Sequence, residues 1–262
     1  MTLRSAVLLL LLLACLDSRG EEGERRPPFI TTPGDVVERM LQLAGTQPGD
    51  LVVDLGSGDG RIVIAAAQKF GARGLGIELD EKLVERSRHN ARLAKVADRV
   101  SFVQGDVLVA DISRASVVTV YLLPSLIDRL QPRFVDELQP GTRIVSHAFA
   151  MAGWKPDRAE TVRVTEPHPG QGDESTLYLW IVPAEARGVW QGGDLRLRIQ
   201  QNYQDIEVEG TQGGKPIAVR RATLTGRDIA WETRAWSFRG RVEQNQIVGK
   251  LDDVPLVFTR AR

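Results

Sequence analysis

The chain is expected to be an α/β protein with a smaller all-β part behind it, and three observations carry that expectation. From Leu51 onward, short apolar runs alternate with longer amphipathic ones, the pattern of a parallel sheet covered by helices. Two further expected strands, about Thr161 to Glu166 and Thr176 to Val182, are joined by a link too short for a helical crossover. They must pair as a hairpin, so the final strand of the sheet runs antiparallel. Beyond Pro183 the period changes to apolar-polar alternation broken by glycine turns, as in a small antiparallel meander or barrel with one buried face. The chain has 262 residues, 42% of them hydrophobic, which is enough for one large domain and one small one.

Residues 1–20 hold Arg4, an unbroken apolar run from Ala6 to Leu16, and then Asp17-Ser18-Arg19-Gly20. A positive residue ahead of a short apolar stretch has the form of an export signal, and the run falls well short of the roughly 20 residues a membrane-spanning helix needs. Cys15, the single cysteine, follows Leu12-Leu13-Ala14 in what looks like a bacterial lipoprotein processing site, with plain cleavage a few residues later as the alternative. Both routes predict an exported or membrane-anchored protein of the periplasm or envelope, associated with membrane through its N-terminus. A segment without signal function predicts a cytoplasmic protein instead. Residues 21–31, charged and proline-containing, suit a linker.

A first domain is expected over residues 32–184. Thr32 as N-cap, Pro33 in the first helical position and Asp35 in the first turn mark a helix start, with Val36, Val37, Met40, Leu41 and Ala44 on one face. Expected parallel strands are Leu51 to Leu55, Gly74 to Leu79, Val100 to Gln104, Val117 to Leu122 and Arg143 to His147. Between them, Asp80 caps a helix through Leu83, Val84 and Ala91, and Pro124 opens another through Ile127, Leu130 and Phe134. Residues 188–262 form the second, antiparallel domain. There Leu195, Leu197 and Ile199, then Ile206 and Val208, Ile229 and Trp231, Trp236 and Phe238, and Leu256 and Phe258 alternate with polar neighbours. Turns fall at Gly192-Gly193, Gly213-Gly214 and Gly226-Arg227-Asp228, and this part shows no metal or nucleophile constellation.

The acidic and basic residues balance at 34 each, so no net positive field draws in a polyanion and no nucleic acid partner is expected.

Chemistry concentrates where Val52-Val53-Asp54-Leu55 runs into Gly56-Ser57-Gly58-Asp59-Gly60 and an apolar helix leaves behind Arg61. Alternating glycines let backbone pass under a ligand where any Cβ would collide, and the helix start points its N–H groups at the same place. A dinucleotide fingerprint needs G-x-G-x-x-G, but here the third glycine falls one place early and Arg61 takes the position of the helix-packing glycine. The D-x-G-x-G-x-G spacing resembles instead the first motif of class I S-adenosylmethionine-dependent methyltransferases. Five parallel strands ending in a hairpin likewise resemble the Rossmann-like, seven-stranded sheet of those enzymes.

Acidic residues after successive strands strengthen the resemblance. Asp54 ends the first strand, where it can organise the loop and the amino-acid end of S-adenosylmethionine. Glu78 ends the second, where a carboxylate can accept from both ribose hydroxyls. Asp106, in Gln104-Gly105-Asp106-Val107, follows the third and can accept from the adenine amino group. The cofactor site implied by the resemblance comprises Thr32, Asp54, Gly56, Ser57, Gly58, Asp59, Gly60, Glu78, Leu79, Asp106 and Val107.

Thr32-Pro33 with its helix, Asp54 to Ala67, Gly76-Ile77-Glu78-Leu79 and Val118 to Pro124 together look like the family of lysine methyltransferases that act on the c-ring protein of ATP synthase and the adenine nucleotide translocase. That resemblance implies N-methylation of a protein lysine. The signal-like start and the β appendage depart from the family and leave two alternatives: a small-molecule or lipid-associated methyltransferase, and an exported non-catalytic protein that keeps the fold. Val120-Tyr121-Leu122-Leu123-Pro124 stands where an acceptor pocket is lined and lacks the Asn/Asp-Pro-Pro-Tyr/Phe signature of enzymes acting on adenine, cytosine or glutamine amino groups. Tyr121 is a candidate wall or orienting group beside the methyl donor, and His147, in Ser146-His147-Ala148-Phe149, is the candidate base. No metal ligand set is expected.

Overall fold

A computed structural model describes residues 30–165, 167 and 172–261; the signal and nearly all of the linker expected at the N-terminus, with Glu166, lie outside the described residues. Residues 31–262 form one compact unit built from two sheets.

The first sheet has seven strands in the order β3-β2-β1-β4-β5-β7-β6. They are β1 (Leu51–Leu55), β2 (Arg73–Glu78), β3 (Val100–Gln104), β4 (Val117–Val120), β5 (Arg143–His147), β6 (Arg158–Arg163) and β7 (Glu174–Ile181). Strands β1 to β5 pair in parallel and β7 is antiparallel to β5 and β6. Strand order reverses between β1 and β4, the place where an open α/β sheet forms its ligand crevice.

Helices α1 (Gly34–Leu43), α2 (Arg61–Phe70) and α3 (Glu81–Leu93) cover one face. Their apolar stripes, including Val36, Met40, Leu41, Val63, Ala67, Val84 and Ala91, share a core with Val52, Val100, Phe102, Val117 and Val145. Helix α4 (Pro124–Glu137) covers the other face through Ile127, Leu130 and Phe134 against Val53, Val118 and Ile144. Asp80 caps α3 by accepting from the Lys82 N–H at 2.8 Å, and Pro124 stands in the first turn of α4.

Strand β4 ends at Val120, short of the expected Leu122, β2 and β7 shift by one or two residues, and two further expectations change. The first helix begins at Gly34 behind Pro33 with no side-chain cap, because the Thr32 hydroxyl is turned inward to His147. Strand β6 begins at Arg158, ahead of the expected Thr161, because it follows the register of β7 from Leu179 down. An exposed strand with charged residues at Arg158, Glu160 and Arg163 carries little hydrophobic signal of its own.

The second sheet has nine strands in the order β11-β10-β9-β8-β16-β15-β14-β13-β12. These are β8 (Gly188–Gly192), β9 (Leu195–Asn202), β10 (Asp205–Gln212), β11 (Lys215–Ile217), β12 (Arg221–Thr225), β13 (Asp228–Glu232), β14 (Ser237–Glu243), β15 (Gln246–Leu251) and β16 (Val254–Arg260). It curls around Trp190, Leu197, Ile199, Ile229, Trp231, Phe238 and Phe258, all buried. Trp231 stacks on Phe238 at 4.2 Å between ring centroids, and Phe258 meets both edge-on.

The curled sheet is joined to the first by polar and aromatic contacts. Tyr203 lies flat on Trp154 at 4.7 Å and 6°, and its hydroxyl accepts from Gln131 Nε2 of α4 at 2.8 Å. Gln204 accepts from Trp154 Nε1 and donates to the Lys155 carbonyl. The Ala184 N–H donates to the Gly226 carbonyl, and Gly226 packs against Gly141, just ahead of β5. The Gly141 contact lies at the N-terminal end of the parallel strands. The glycine turn lies at the other end, so the β part does not line that crevice.

Candidate active site

Strand β1 delivers Asp54 into the core with 2% of its surface exposed. Thr119 of β4 donates its hydroxyl to Asp54 Oδ1 at 2.7 Å. Burial pushes this carboxyl from 3.8 up to about 7; the Thr119 hydrogen bond opposes the rise, and the charges of Glu78 and Asp59 add to it. A buried carboxyl that is easily neutralised gains most from a cation placed beside it.

Past Leu55 the chain turns through Gly56, Gly58 and Gly60, with φ of 77°, 55° and 81°. Side chains other than glycine rarely adopt these angles. A Cβ at Gly56 would lie 2.7 Å from Leu122, and one at Gly60 would lie 2.6 Å from the Phe102 ring. The Gly56 and Ser57 N–H groups both donate to the Ile77 carbonyl, which ties the turn to the end of β2.

Glu78 closes the turn from the other side. Its Oε2 accepts from the Gly58 N–H at 2.9 Å, and its Oε1 accepts from the Leu79 and Asp80 N–H groups at 2.9 and 3.0 Å. A carboxylate has about four lone-pair sites, so acceptor capacity remains beside this loop. Leu79 is 53% exposed next to it, an apolar surface with no protein cover. Asp106 is also exposed; its Oδ1 accepts from the Leu108 N–H and its backbone carbonyl from Val109 and Ala110. Val107 is buried in the core below.

The structure thus gathers Asp54, Gly56, Gly58, Gly60, Glu78, Leu79 and Asp106 at the C-terminal edge of β1, β2 and β3. Four other residues of the expected site have side chains that bond or pack within the protein. Ser57 is buried, with Oγ packed over Gly76 and making no hydrogen bond, so its side chain faces the sheet and not the crevice. Both Asp59 oxygens are taken by Arg61, Oδ1 from Nε at 2.9 Å and Oδ2 from Nη2 at 2.7 Å. Burial raises the Asp59 pKa, but the Arg61 hydrogen bonds and charge outweigh it and hold the carboxyl below its ordinary value. Val107 supports the Asp106 turn from beneath. Thr32 turns its hydroxyl toward His147 Nδ1 at 3.4 Å.

His147 is fully buried, and its Nε2 is bonded to Ser175 Oγ at 2.9 Å. With both ring nitrogens engaged and no exposed surface, it is not placed as a base that exchanges protons with an acceptor. Its ring lies 4.0 Å from that of Tyr121, and the Phe149 ring lies nearly parallel to that of Tyr121 at 6.4 Å. A turn at Ala148, where φ is 68°, brings Phe149 into place, fastened by Ser146 Oγ donating to the Phe149 carbonyl at 2.6 Å. Burial raises the half-buried Tyr121 phenol above its ordinary pKa, so it stays protonated. His147 therefore packs against Tyr121 from within the core.

Arg61 is the residue beside the site whose contacts sequence reasoning missed. Beyond its pair with Asp59, its Nη1 donates to the Thr32 carbonyl at 2.9 Å, which straps the segment before α1 to the glycine turn. The signal was present, since Arg61 replaces a packing glycine, but a replacement does not announce its partner. Thr119 and Ser175 were equally invisible as single hydroxyl residues in apolar strands.

A nucleoside with an apolar plane and polar edges fits this arrangement, because carboxylates at Glu78 and Asp106 flank an exposed Leu79 beside a backbone turn free of side chains. The fold and site are those of an S-adenosylmethionine-dependent methyltransferase. The model of the ANTKMT methyltransferase domain matches residues 54–158. A protein-lysine N-methyltransferase of Saccharolobus islandicus is 38% identical over 156 residues, covering 59% of this chain and 93% of that protein. The adenine nucleotide translocase lysine N-methyltransferase of Mus musculus is 36% identical over 49% of this chain, and the matched region spans only 56% of that protein. A crystal structure described as an RNA methyltransferase from Salinibacter ruber with S-adenosyl-L-homocysteine is 51% identical, with a TM-score of 0.54, over 60% of this chain and 95% of that one. The chain belongs to the same family as the Saccharolobus islandicus protein-lysine N-methyltransferase.

Proposed function

We propose that this protein transfers a methyl group from S-adenosylmethionine to the ε-amine of a lysine in a protein. The observation that carries the proposal is the similarity to the Saccharolobus islandicus lysine enzyme across 93% of its length. The aromatic stack of Tyr121, His147 and Phe149 beside the donor crevice supports it. S-adenosylmethionine supplies a methyl on an electron-poor sulfonium carbon, so the chain's task is mainly alignment and exclusion of water.

In this reading Asp54 holds the amino-acid end of the donor, Glu78 the ribose hydroxyls and Asp106 the adenine amine. Gly56, Gly58 and Gly60 present backbone alone. Tyr121 and Phe149 form the wall against which a lysine side chain lies. Because the Tyr121 phenol stays protonated, it takes no proton; its oxygen can accept from an N–H of the neutral amine, which leaves the attacking lone pair free, or its ring face forms the wall. An apolar pocket lowers the pKa of an entering ammonium, which favours the neutral amine that attacks.

The 51% identity to a structure described as an RNA methyltransferase supports a second acceptor class, while the balanced charge of the chain favours protein. Incubating the protein with a cell extract and tritiated S-adenosylmethionine separates them. The lysine reading predicts protease-sensitive label recovered as methyl-lysine after hydrolysis; nuclease-sensitive label, or label only in small metabolites, refutes it.

We further propose that residues 1–20 export the protein or anchor it to a membrane, supported by Arg4, the apolar run and Cys15. Fractionation of cells expressing Cys15→Ser tests the lipid anchor, which predicts release from the membrane fraction.

A further inference from the structure

Strand β3 is the outer strand of the first sheet, and the link from it to β4, residues 105–116, contains no helix. A crossover between parallel strands usually carries one, and parallel strands are normally covered on both faces. The face of β2 and β3 turned away from α1, α2 and α3 has no helix upon it. Arg133 of α4 fastens the link instead, Nη1 donating to the Val107 carbonyl at 2.7 Å and Nη2 to the Ala110 carbonyl at 2.6 Å. Val107, Ile112 and Ala115 share a core with Val53 and Ile77, and the outer part of the face stays bare.

A groove of about 470 Å³ lies there. Leu75, Ile77 and Val103 line it from the sheet, and Val109 and Ala110 line it from the link. Val103 is 50% exposed and Val109 78%, which is apolar surface left to solvent. The groove runs from Asp106 at the C-terminal edge of the strands to Leu51 and Arg114 at the N-terminal edge. It meets the donor site only at Asp106, since Gly56, Gly58, Gly60 and Glu78 line none of it.

The N-terminal end of this face is basic. Side chains alternate along a strand, so Arg73 shares the face of Leu75 and Ile77. Register continues from Gly74↔Val100 to set Arg73 beside Arg99, whose carbonyl accepts from the Gly74 N–H. Arg73, Arg99 and Arg114 are exposed, and none of the ion pairs among the described residues involves them. Two carboxylates stand near, Asp98 and Asp111, and Asp111 Oδ1 already accepts from the Ser113 N–H and hydroxyl. Positive charge is left over at that end.

We propose that the bare face of β2 and β3 receives an amphipathic helix of a partner polypeptide, with an aliphatic stripe and acidic residues in its last turn. A helix of about twelve residues is ~18 Å long, which matches strands of five or six residues at ~3.3 Å each. Running antiparallel to the strands, it lays its stripe on Leu75, Val103 and Val109. Its negative C-terminal end then meets Arg73, Arg99 and Arg114. Addition of a strand to the edge of β3 is disfavoured, because Arg88 Nη2 already donates to the Phe102 carbonyl at 2.9 Å. The docking face is separate from the methyl site, so its test does not depend on the acceptor reading.

A fluorescein-labelled peptide of about fourteen residues, with leucine at every third or fourth position and three glutamates in its last turn, is titrated against the full chain by anisotropy. Saturable one-to-one binding is expected, weakened at least several-fold by Val103→Asp with Val109→Asp, by Arg73→Glu with Arg99→Glu and Arg114→Glu, and by raised salt. All five positions are exposed, so the variants are expected to keep the wild-type circular dichroism and S-adenosylmethionine affinity. Val248→Asp, at an exposed valine of the second sheet, is expected to leave binding unchanged. The peptide with lysines in place of its glutamates is expected to bind weakly. No binding overturns the proposal, as does binding indifferent to the valine pair or to the lysine exchange. Two further results overturn it by naming another cover for the face: a dimer in sedimentation that Val103→Asp dissociates, or adsorption to vesicles of anionic phospholipid that the valine pair abolishes while the peptide does not bind.

Discussion

Asp54 sets stability against function. Its carboxyl is held near 7 in the fold against 3.8 outside it. The folded state therefore binds the extra proton, and the associated stability is complete below the unfolded pKa and lost as pH rises through about 7. That difference corresponds to on the order of 4 kcal/mol at pH 8. Asp54→Asn keeps the shape and the Thr119 contact and is expected to raise the thermal midpoint at pH 8 but not at pH 4, while abolishing S-adenosylmethionine binding. Differential scanning fluorimetry across pH measures the first effect. The wild-type affinity is expected to fall about tenfold per unit below pH 7 and to level off above it, because the cationic ligand selects the ionised carboxylate. A flat profile between pH 6 and 8 counts against that role for Asp54. Arg61 acts differently, through the fork that joins Asp59 to the Thr32 carbonyl. Arg61→Lys keeps charge but not the bidentate geometry, and about a tenfold rise in the donor KM is expected with far-ultraviolet circular dichroism unchanged.

Elements built from strong local signals were legible in the sequence, and elements defined by their partners were not. Strands β1 and β5 fall where their apolar runs place them, because a buried parallel strand must be apolar on both faces; the edge strand β3 was legible from the alternation of buried Val100 and Phe102 with exposed neighbours. The glycine turn was legible for a related reason, since only glycine tolerates its angles. Gly60→Ala would combine a φ of 81° with a Cβ 2.6 Å from Phe102, and a loss of about 2 kcal/mol in denaturant unfolding is expected, with weaker donor binding. The polar strand β6, and the capping of α1 by no side chain at all, depend on what they pack against. The same limit explains Ser57 and Asp59: lying within the motif says nothing about whether a side chain faces the crevice or the sheet. His147 is the sharpest case, for the sequence shows a histidine at a strand end but not the Ser175 and Thr32 hydroxyls that engage its ring.

At the scale of the molecule, the two sheets divide the work. The donor crevice belongs to the first sheet alone, and the second is held by Tyr203, Gln204 and Gly226 away from it. Tyr203→Ala removes a ring stacked on Trp154 and a hydrogen bond from Gln131, and about 3 kcal/mol of stability should be lost. The S-adenosylmethionine dissociation constant should not change below the new melting transition; a matching loss of affinity would show that the β part shapes the crevice after all. The central claim is that Asp54 and Glu78, at the ends of adjacent strands, hold the methyl donor around the glycine turn. Isothermal titration of the full chain with S-adenosylmethionine, repeated with Asp54→Ala and Glu78→Ala, tests it most directly. One-to-one binding by the wild type, lost in both variants while each remains folded, is the predicted result; no binding by the wild type, or equal binding by all three, contradicts it.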